Sequence, residues 1–209
     1  MKKYLPLMVN VRNKDVIIFG GGKVALRKAK KLLDLGARVS VVSNSFKKEF
    51  DRINVEKSYL KEKRQLSALL KGKVLAIAAT NDKEFNLKVK EESEKLGIMC
   101  NVVDFRGSDV IFPAVFKKGD VIVAVSSSGN LPYFSEFLAR KMGEMIKPYL
   151  EAYPALKRVR KSLKGVGPSK KKKIQEELLN NYLELLRSGQ SKLIEEKVDE
   201  LLRMFYNHV

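Results

Sequence analysis

The chain has 209 residues, of which 44% are hydrophobic, so it can bury one sizeable core and a smaller appendage but not two full enzymes. Its formal net charge of +18 favours polyanionic partners, although a surface rich in Lys and Glu is also typical of heat-adapted proteins. Cys100 is the only cysteine, which excludes an intrachain disulfide and a metal site built from the cysteines of one chain.

Neither a membrane span nor a signal peptide is expected. No uninterrupted apolar segment approaches the roughly 20 residues that a span needs. Residues 1–7 lack the apolar core and the cleavage site of a signal peptide. We therefore expect a soluble cytoplasmic protein with no membrane partner.

The most informative stretch is Val16–Lys28, where a short apolar run gives way to three glycines and then to a helical pattern. Gly20, Gly22 and Ala25 occupy the G-x-G-x-x-A positions. The first residue allows a tight turn, the second lets the backbone approach a pyrophosphate, and the small third residue packs helix on strand. The N–H groups that open the helix would face the phosphates. The stretch therefore predicts a dinucleotide-binding turn.

Strand and helix patterns alternate through the first half of the chain. The predicted strands cover residues 16–19, 38–42, 55–60, 74–79 and 99–103, and the predicted helices cover residues 23–35, 64–70 and 82–95. This alternation predicts an α/β fold with a Rossmann-like parallel sheet, in which ligands bind beyond the carboxyl ends of the strands. Thr80, Asn101 and Asp104 fall at that edge, and we expect Thr80 and Asn101 to contact the cofactor.

The pattern changes after Asp109. Residues 110–116 and 121–125 are strand-like and separated by a polar loop, which predicts a β-hairpin. A helix is expected from Pro132 to about Lys147, followed by a helical remainder. We therefore divide the chain into three segments, which cover residues 1–112, 113–147 and 148–209.

The candidates for acid–base chemistry are few. The single histidine, His208, stands next to last, which excludes a histidine triad and a histidine metal cluster in the core. The remaining candidates are carboxylates, Lys, Tyr and Cys100, and no metal ion is expected at the site. Asp104 is favoured because it directly follows an apolar strand at the ligand-binding edge. The alternative is an ordinary aspartate that bonds the backbone of the following turn.

A polar loop made of Ser126, Ser127, Ser128 and Gly129 precedes the helix at Pro132. Its hydroxyl and N–H groups could bind the carboxylates of a substrate. The loop could equally be a helix entry in which a serine caps the helix, and the two roles are compatible.

The residues that close the second strand leave the choice between NAD and NADP open. An acidic residue at this position would hold the ribose hydroxyls of NAD, yet Ser43, Asn44 and Ser45 stand there. Asn44 and Ser45 could bond a ribose, whereas Lys47 and Lys48 could meet a 2′-phosphate.

Together these residues resemble the precorrin-2 dehydrogenase family of siroheme synthesis, which also forms the N-terminal half of multifunctional siroheme synthases. The resemblance covers about the first 145 residues. It is carried by Tyr4–Leu7, Gly20–Ala25, Arg27–Lys28, Leu75–Thr80, Cys100–Asp104, Phe112–Pro113, Val123–Ser127 and Pro132. The last sixty or so residues resemble the family only in being helical.

The resemblance implies an NAD-dependent oxidation of precorrin-2, a polyanionic tetrapyrrole, to sirohydrochlorin. It also implies a homodimer, in which the segment of residues 113–147 builds the dimer contact. Asp104 matches the essential aspartate of the family, and Ser127 matches a serine of the substrate region. The positions that match the cofactor contacts of the family are Gly20, Gly22, Lys23, Val24, Ala25, Asn44 and Ser45. The use of NAD by the family favours NAD here.

Other functions stay open. Some family members also insert Fe²⁺ into sirohydrochlorin, and the chain has no room for the methyltransferase module that makes precorrin-2. A non-catalytic domain that senses NAD(H) is the main alternative. The run Lys170–Lys173 could contact nucleic acid, but four lysines without interleaved aromatic residues are more typical of a solvated helix turn, so no nucleic-acid partner is expected.

Overall fold

The computed structural model describes residues 4–59, 66–188, 190, 193, 196–200 and 203. His208, the predicted strand end at Leu60 and the predicted helix start at residues 64–65 lie outside the described residues.

Strands and helices alternate in the first part of the described chain, in the order β1 (Asp15–Phe19), α1 (Lys23–Asp34), β2 (Arg38–Ser43), β3 (Glu56–Tyr59), α2 (Leu66–Leu70), β4 (Leu75–Ala78), α3 (Lys83–Lys95) and β5 (Met99–Val102). A hairpin and helices follow, in the order β6 (Ala114–Lys118), β7 (Val121–Val125), α4 (Pro132–Ile146), α5 (Tyr153–Ser162) and α6 (Pro168–Arg187). None of the described helices is both long enough and apolar enough to cross a membrane.

The first five strands form one sheet in the order β3-β2-β1-β4-β5, and each neighbouring pair is parallel. The predicted Rossmann-like α/β fold is therefore confirmed. The chain reverses direction across the sheet between β1 and β4, because β2 and β3 lie on one side of β1 and β4 and β5 on the other. In parallel sheets of this kind, a ligand binds beyond the carboxyl ends of the strands at such a switch point.

Both faces of the sheet are covered by apolar side chains, as the period of two along a strand requires. Val16 and Ile18 pack on the face that α1 covers, and Ile17 and Phe19 pack on the opposite face. On its side, α1 contributes a buried stripe of small and branched residues at helical spacing, namely Ala25, Leu26, Ala29 and Leu32.

The hairpin begins later than the sequence pattern predicts. Strand β6 starts at Ala114, not at Val110. The Asp109 N–H donates to the Cys100 carbonyl at 2.9 Å, and the Asn101 side-chain amide donates to the Val110 carbonyl at 2.8 Å. These bonds hold the segment against β5, so the pairing of β6 with β7 starts only after Pro113.

The chain divides into two compact units. One contains residues 1–112 and 127–131, and the other contains residues 113–126 and 132–209. In the second unit the Phe116 ring of β6 fills the space beside Gly143 of α4, where even a Cβ would collide with it. The three-segment division of the sequence stays a prediction.

Helices α5 and α6 have a small core of their own within the second unit. Its buried members are Ala152, Ala155, Val159, Leu163, Ile174, Leu178, Tyr182 and Val198. The Tyr182 hydroxyl donates to the Pro148 carbonyl, so this large buried side chain has its polar end satisfied. The run Lys170–Lys173 lies near the start of α6, where Lys172 pairs with Glu176 of the same helix.

Candidate active site

The turn between β1 and α1 requires glycine for two different reasons. Gly20 has φ = +122°, and its N–H donates to the Val42 carbonyl at 2.8 Å. A Cβ at Gly20 would also run into the Ala79 carbonyl. Gly20 therefore lets the chain turn tightly between β2 and β4.

Gly22 faces open space. It is the N-cap of α1, its backbone is extended, and a Cβ placed on it would meet no atom within 4 Å. The N–H groups of the first helical residues have no acceptor inside a helix, and the first turn of α1 contains no acidic residue that could compete for them. The open front of Gly22 and the free end of α1 fit a pyrophosphate.

A cleft of about 560 Å³ lies at this edge of the sheet. Five of the predicted cofactor residues line it, namely Gly20, Gly22, Asn44, Ser45 and Thr80. Four others do not line it, namely Lys23, Val24, Ala25 and Asn101. Ala25 is fully buried against the sheet, which matches the packing role predicted for the third position of the glycine pattern.

The loop after β2 closes one side of the cleft. The Ser43 hydroxyl donates to the Ser45 carbonyl at 2.8 Å, and the Lys47 N–H donates to the Gly21 carbonyl at 3.0 Å. Ser43, Asn44, Ser45, Phe46 and Lys47 all line the cleft, and no acidic residue stands among them. The loop therefore offers amide and hydroxyl groups and one cation to the ligand.

Thr80 is held in place by a residue that the sequence pattern did not single out. Asn86, only 4% exposed on α3, accepts from the Thr80 N–H at 3.2 Å and from its hydroxyl at 2.7 Å. The Asn86 side-chain amide donates back to the Thr80 carbonyl at 3.0 Å. Asp82 caps α3 by accepting from the Phe85 N–H, so the helix start is fixed as well. An asparagine at an inward position of the α3 pattern was the available signal.

The sequence placed Gly21 at the ligand-binding edge but assigned it no role of its own. A Cβ on Gly21 would collide with the Ser45 carbonyl, so the turn and the loop after β2 touch backbone to backbone. Its signal was the middle glycine of the run, at the first x of the G-x-G-x-x-A pattern.

Asn101 lies on the α1 face of the sheet, paired in register with Ile77. It is 7% exposed, and its amide nitrogen donates to the Val110 carbonyl. Its Oδ1 is the buried side-chain polar atom without a hydrogen-bond partner in the part of the chain that the structure describes. A cofactor contact by Asn101 stays a prediction.

Asp104 stands beyond β5, where the sequence places it. The Val103 N–H donates to the Ala78 carbonyl at 2.9 Å, so the chain leaves the sheet only after this bond. Asp104 is exposed and has φ = 59°, in the left-handed region that few residues other than glycine adopt. An exposed carboxylate on a constrained backbone can accept a proton from a bound molecule.

The serine loop has a structural role within its own segment. The Ser127 hydroxyl oxygen accepts from the Leu131 N–H at 2.8 Å, and the Asn130 N–H donates to the Ser127 carbonyl at 3.1 Å. Leu131 directly precedes α4, so the helix-entry interpretation of Ser127 agrees with these bonds. Substrate binding by Ser126, Ser127, Ser128 and Gly129 stays a prediction.

Cys100 is not suited to acid–base chemistry. Burial raises the pKa of its thiol to about 11, so the thiol is neutral at pH 7. Among the residues that the structure describes, no group of three or more His, Cys, Asp or Glu side chains is arranged to hold a metal ion.

Comparison with known proteins assigns the chain to a family. Residues 7–114 match the NAD(P)-binding family model NAD_binding_7. Siroheme synthase 2 of Aeromonas hydrophila is 37% identical over 165 residues, which are 78% of this chain and 35% of that protein. Siroheme synthase of Citrobacter koseri is 32% identical over 214 residues, which are 98% of this chain and 46% of that protein. The chain thus spans less than half the length of these relatives.

A solved structure shares the fold over almost the whole chain. SirC, a precorrin-2 dehydrogenase, superimposes with a TM-score of 0.70 at 20% sequence identity, covering 94% of this chain and all of that one. The likeness confirms a parallel sheet followed by a helical region. On the match of residues 7–114, the chain belongs to the NAD_binding_7 family of NAD(P)-binding domains.

Proposed function

We propose that this protein is an NAD-dependent oxidoreductase that converts precorrin-2 to sirohydrochlorin in siroheme synthesis. The observation that carries the proposal is the glycine cradle at the start of α1, with Gly20 and Gly21 tightly packed and the front of Gly22 open. The siroheme synthase relatives and the shared fold with a precorrin-2 dehydrogenase support the choice of substrate.

The cofactor would lie with its pyrophosphate before Gly22 and the first N–H groups of α1, and with its ribose near Asn44 and Ser45. When bound, NAD⁺ supplies a two-electron hydride acceptor. We choose NAD over NADP because the family resemblance favours it. Lys47 in the cleft is the feature that a 2′-phosphate could exploit, so both nucleotides belong in the binding assay.

A residue of the protein itself would accept the proton that the oxidation releases. Oxidation of the macrocycle removes two hydrogens, one as a hydride and one as a proton, and we assign the proton to the Asp104 carboxylate. Asp104 follows the edge strand β5 and is exposed, so a large planar substrate can reach it. Its left-handed backbone limits the directions in which the carboxylate points.

The charge of the chain fits a substrate rich in carboxylates. A net charge of +18 attracts a polyanion and speeds its encounter with the cleft, with an effect that salt weakens. We place the reaction in the cytoplasm, where NAD-dependent metabolism runs.

We further propose that the protein is a homodimer joined through its hairpin. Val115 and Ile122 lie on the side of the hairpin away from α4 and are each 41% exposed. Tyr133, Phe134 and Met145 of α4 are 81%, 50% and 62% exposed. Apolar side chains left exposed in this way are typical of surfaces that a second copy covers.

The test is an anaerobic incubation of the purified protein with enzymatically generated precorrin-2 and NAD⁺, in which NADH and macrocycle absorbance are followed together. Asp104→Asn is the test variant, because Asn also tolerates the left-handed backbone. Asp34→Asn, at the exposed end of α1, is the matched control. Iron incorporation into sirohydrochlorin is measured in the same preparation.

We expect the wild type and Asp34→Asn to form sirohydrochlorin and NADH in equal amounts. Asp104→Asn should bind NAD normally and lose at least about 100-fold in turnover, the lower end of the range for a general base. A wild type that binds NAD but leaves precorrin-2 unchanged would overturn the proposal in favour of a domain that senses NAD(H).

A further inference from the structure

The loop that carries Asp104 is closed at its base by backbone bonds. The chain leaves the sheet after Val103, whose N–H donates to the Ala78 carbonyl. It returns to β5 at Asp109, whose N–H donates to the Cys100 carbonyl at 2.9 Å. Residues between these bonds stand beyond the carboxyl end of β5. A closed base holds the ends of a loop but not its tip.

Ser108 connects the tip of this loop to the strand. Its side-chain oxygen accepts from the Val102 N–H at 2.8 Å. Its hydroxyl group can donate to either of two carbonyl oxygens. The distance from Ser108 Oγ is 3.1 Å to the carbonyl oxygen of Val102 and 3.2 Å to that of Phe105. Because Phe105 directly follows Asp104, one buried hydroxyl joins the end of β5 to the residue next to the carboxylate.

The position of Ser108 in the fold explains why a serine is useful there. β5 is an edge strand, so its outward N–H groups have no neighbouring strand to bond. Ser108 is 1% exposed and supplies the missing acceptor for Val102. From outside, the Tyr4 hydroxyl donates to the Ser108 carbonyl at 3.0 Å, which holds Ser108 from a second direction.

The conformation of Asp104 needs such support. A residue other than glycine keeps φ = 59° only where its surroundings hold it there. The Phe105 ring packs over Gly107 so closely that a Cβ on Gly107 would collide with it. The loop is therefore restrained around Asp104, by the hydrogen bonds of Ser108 to Val102 and Phe105 and by the packing of Phe105 on Gly107.

We propose that Ser108 is a positioning residue that holds Asp104 in its left-handed conformation, and so aims the carboxylate at the substrate. This inference rests on the proposed function, in which Asp104 takes the proton. Without the hydroxyl, the Phe105 carbonyl is released and the Asp104 backbone can relax toward negative φ. A misplacement of about 1 Å at a reacting group can cost on the order of 100-fold in rate.

The test variant is Ser108→Ala, measured alone and in an Asp104→Ala background. The control is Ser93→Ala, which also loses a buried serine hydrogen bond, donated to the Val89 carbonyl at 2.7 Å; Ser93 lies on α3, where it also contacts Cys100 of β5, and is not part of the loop that carries Asp104. Thermal midpoints, NAD affinity, and kcat and KM for precorrin-2 are measured for each protein.

We expect both serine variants to lose a similar few degrees in the thermal midpoint. Only Ser108→Ala should lose tenfold or more in kcat, with KM and NAD affinity within twofold of the wild type. In the Asp104→Ala background, Ser108→Ala should cause no further loss of turnover, because its effect passes through Asp104. A kcat like that of Ser93→Ala, or losses that multiply in the double variant, would overturn the inference.

A wild type that does not oxidise precorrin-2 is a separate outcome, which overturns the proposed function itself. If Ser108→Ala does not fold, Tyr4→Phe is used, since it removes only the hydroxyl that holds the Ser108 carbonyl. This variant should lose at least twofold in kcat, and the loss should vanish in the Asp104→Ala background. An unchanged kcat in Tyr4→Phe would contradict the positioning role.

Discussion

Gly21 and Ser45 meet backbone to backbone, so closely that a Cβ on Gly21 would overlap the Ser45 carbonyl oxygen. This contact joins the turn after β1 to the loop after β2, and the bond from the Lys47 N–H to the Gly21 carbonyl strengthens it. Gly22, the next residue, has no such neighbour. Two adjacent glycines thus differ, because Gly21 packs against the loop after β2 and Gly22 opens to the cleft.

Substitution by alanine should have different effects at Gly21 and at Gly22, on stability at the first and on NADH binding at the second. Gly21→Ala should destabilise the protein by about 3 kcal/mol or more, because the backbone of Ser45 cannot move aside cheaply. Gly22→Ala should cost only about 0.5 kcal/mol as a poorer N-cap, yet weaken NADH binding about tenfold or more by filling the space for the phosphates. Urea unfolding and fluorescence titration with NADH measure the two effects. Gly22→Ala with wild-type NADH affinity would contradict the proposed position of the pyrophosphate.

Asn86 should affect NADH binding through its hydrogen bonds to Thr80, which lines the cleft. Asn86→Ala removes three hydrogen bonds to Thr80 and should destabilise the protein by about 2 kcal/mol. NADH binding should weaken as well, because Thr80 is then free to turn away from the cleft. Asn130→Ala, which removes an exposed bond to the Ser127 carbonyl, is the control and should change neither property. Equal NADH affinity in the wild type, Asn86→Ala and Asn130→Ala would show that Thr80 does not need the hydrogen bonds of Asn86.

Lys28 makes the stability depend on pH. Its side chain is largely buried with Nζ 3.8 Å from the centre of the Phe112 ring, and burial lowers its pKa from 10.5 to about 8. Below pH 8 the folded protein holds this charge at a cost that the unfolded chain does not bear. Between pH 8 and 10.5 only the unfolded chain keeps the proton, so the cost disappears as the pH rises.

Lys28→Met should therefore stabilise the protein at pH 7 by about 1–2 kcal/mol, once the favourable contact with Phe112 is allowed for. The gain over the wild type should shrink toward zero at pH 10. Lys30→Met, at an exposed position of the same helix, is the control and should show no such trend. Urea unfolding at pH 7 and pH 10 provides the comparison, and a gain that stays constant with pH would refute the assignment to Lys28.

The hairpin should hold two copies of the chain together. Ile122→Glu places a charge on the side of the hairpin away from α4, where Lys117 is its cross-strand neighbour, and should convert a dimer to a monomer in light scattering at working concentration. Leu35→Glu is the control, since Leu35 is 45% exposed at the end of α1 in the other unit. A monomeric wild type would contradict the dimer, and a dimeric Ile122→Glu would place the contact elsewhere.

Local signals predicted the order of the elements. Apolar runs of strand length, the glycine run at Gly20 and the alternation with helices all depend on neighbouring residues, so the parallel sheet followed from the sequence. The same signals located Gly20, Gly22, Asn44, Ser45 and Thr80 at the cleft. Because parallel strands end at one edge of a sheet, loops that are distant in the chain could be assigned to one site.

The sequence by itself thus determined the fold class, the family and the edge of the sheet at which the cleft lies, since these depend on local periodicity and on motifs of fixed spacing. Tertiary structure alone decided which glycine packs and which one opens to the cleft, because that depends on the approach of Ser45 from another strand. It also decided that Asn86 supports Thr80 and that Ser108 ties the Asp104 loop to β5, because these hydrogen bonds need side chains brought together by folding. Local sequence patterns therefore locate the site, whereas the packing of distant segments determines which residues hold it in place.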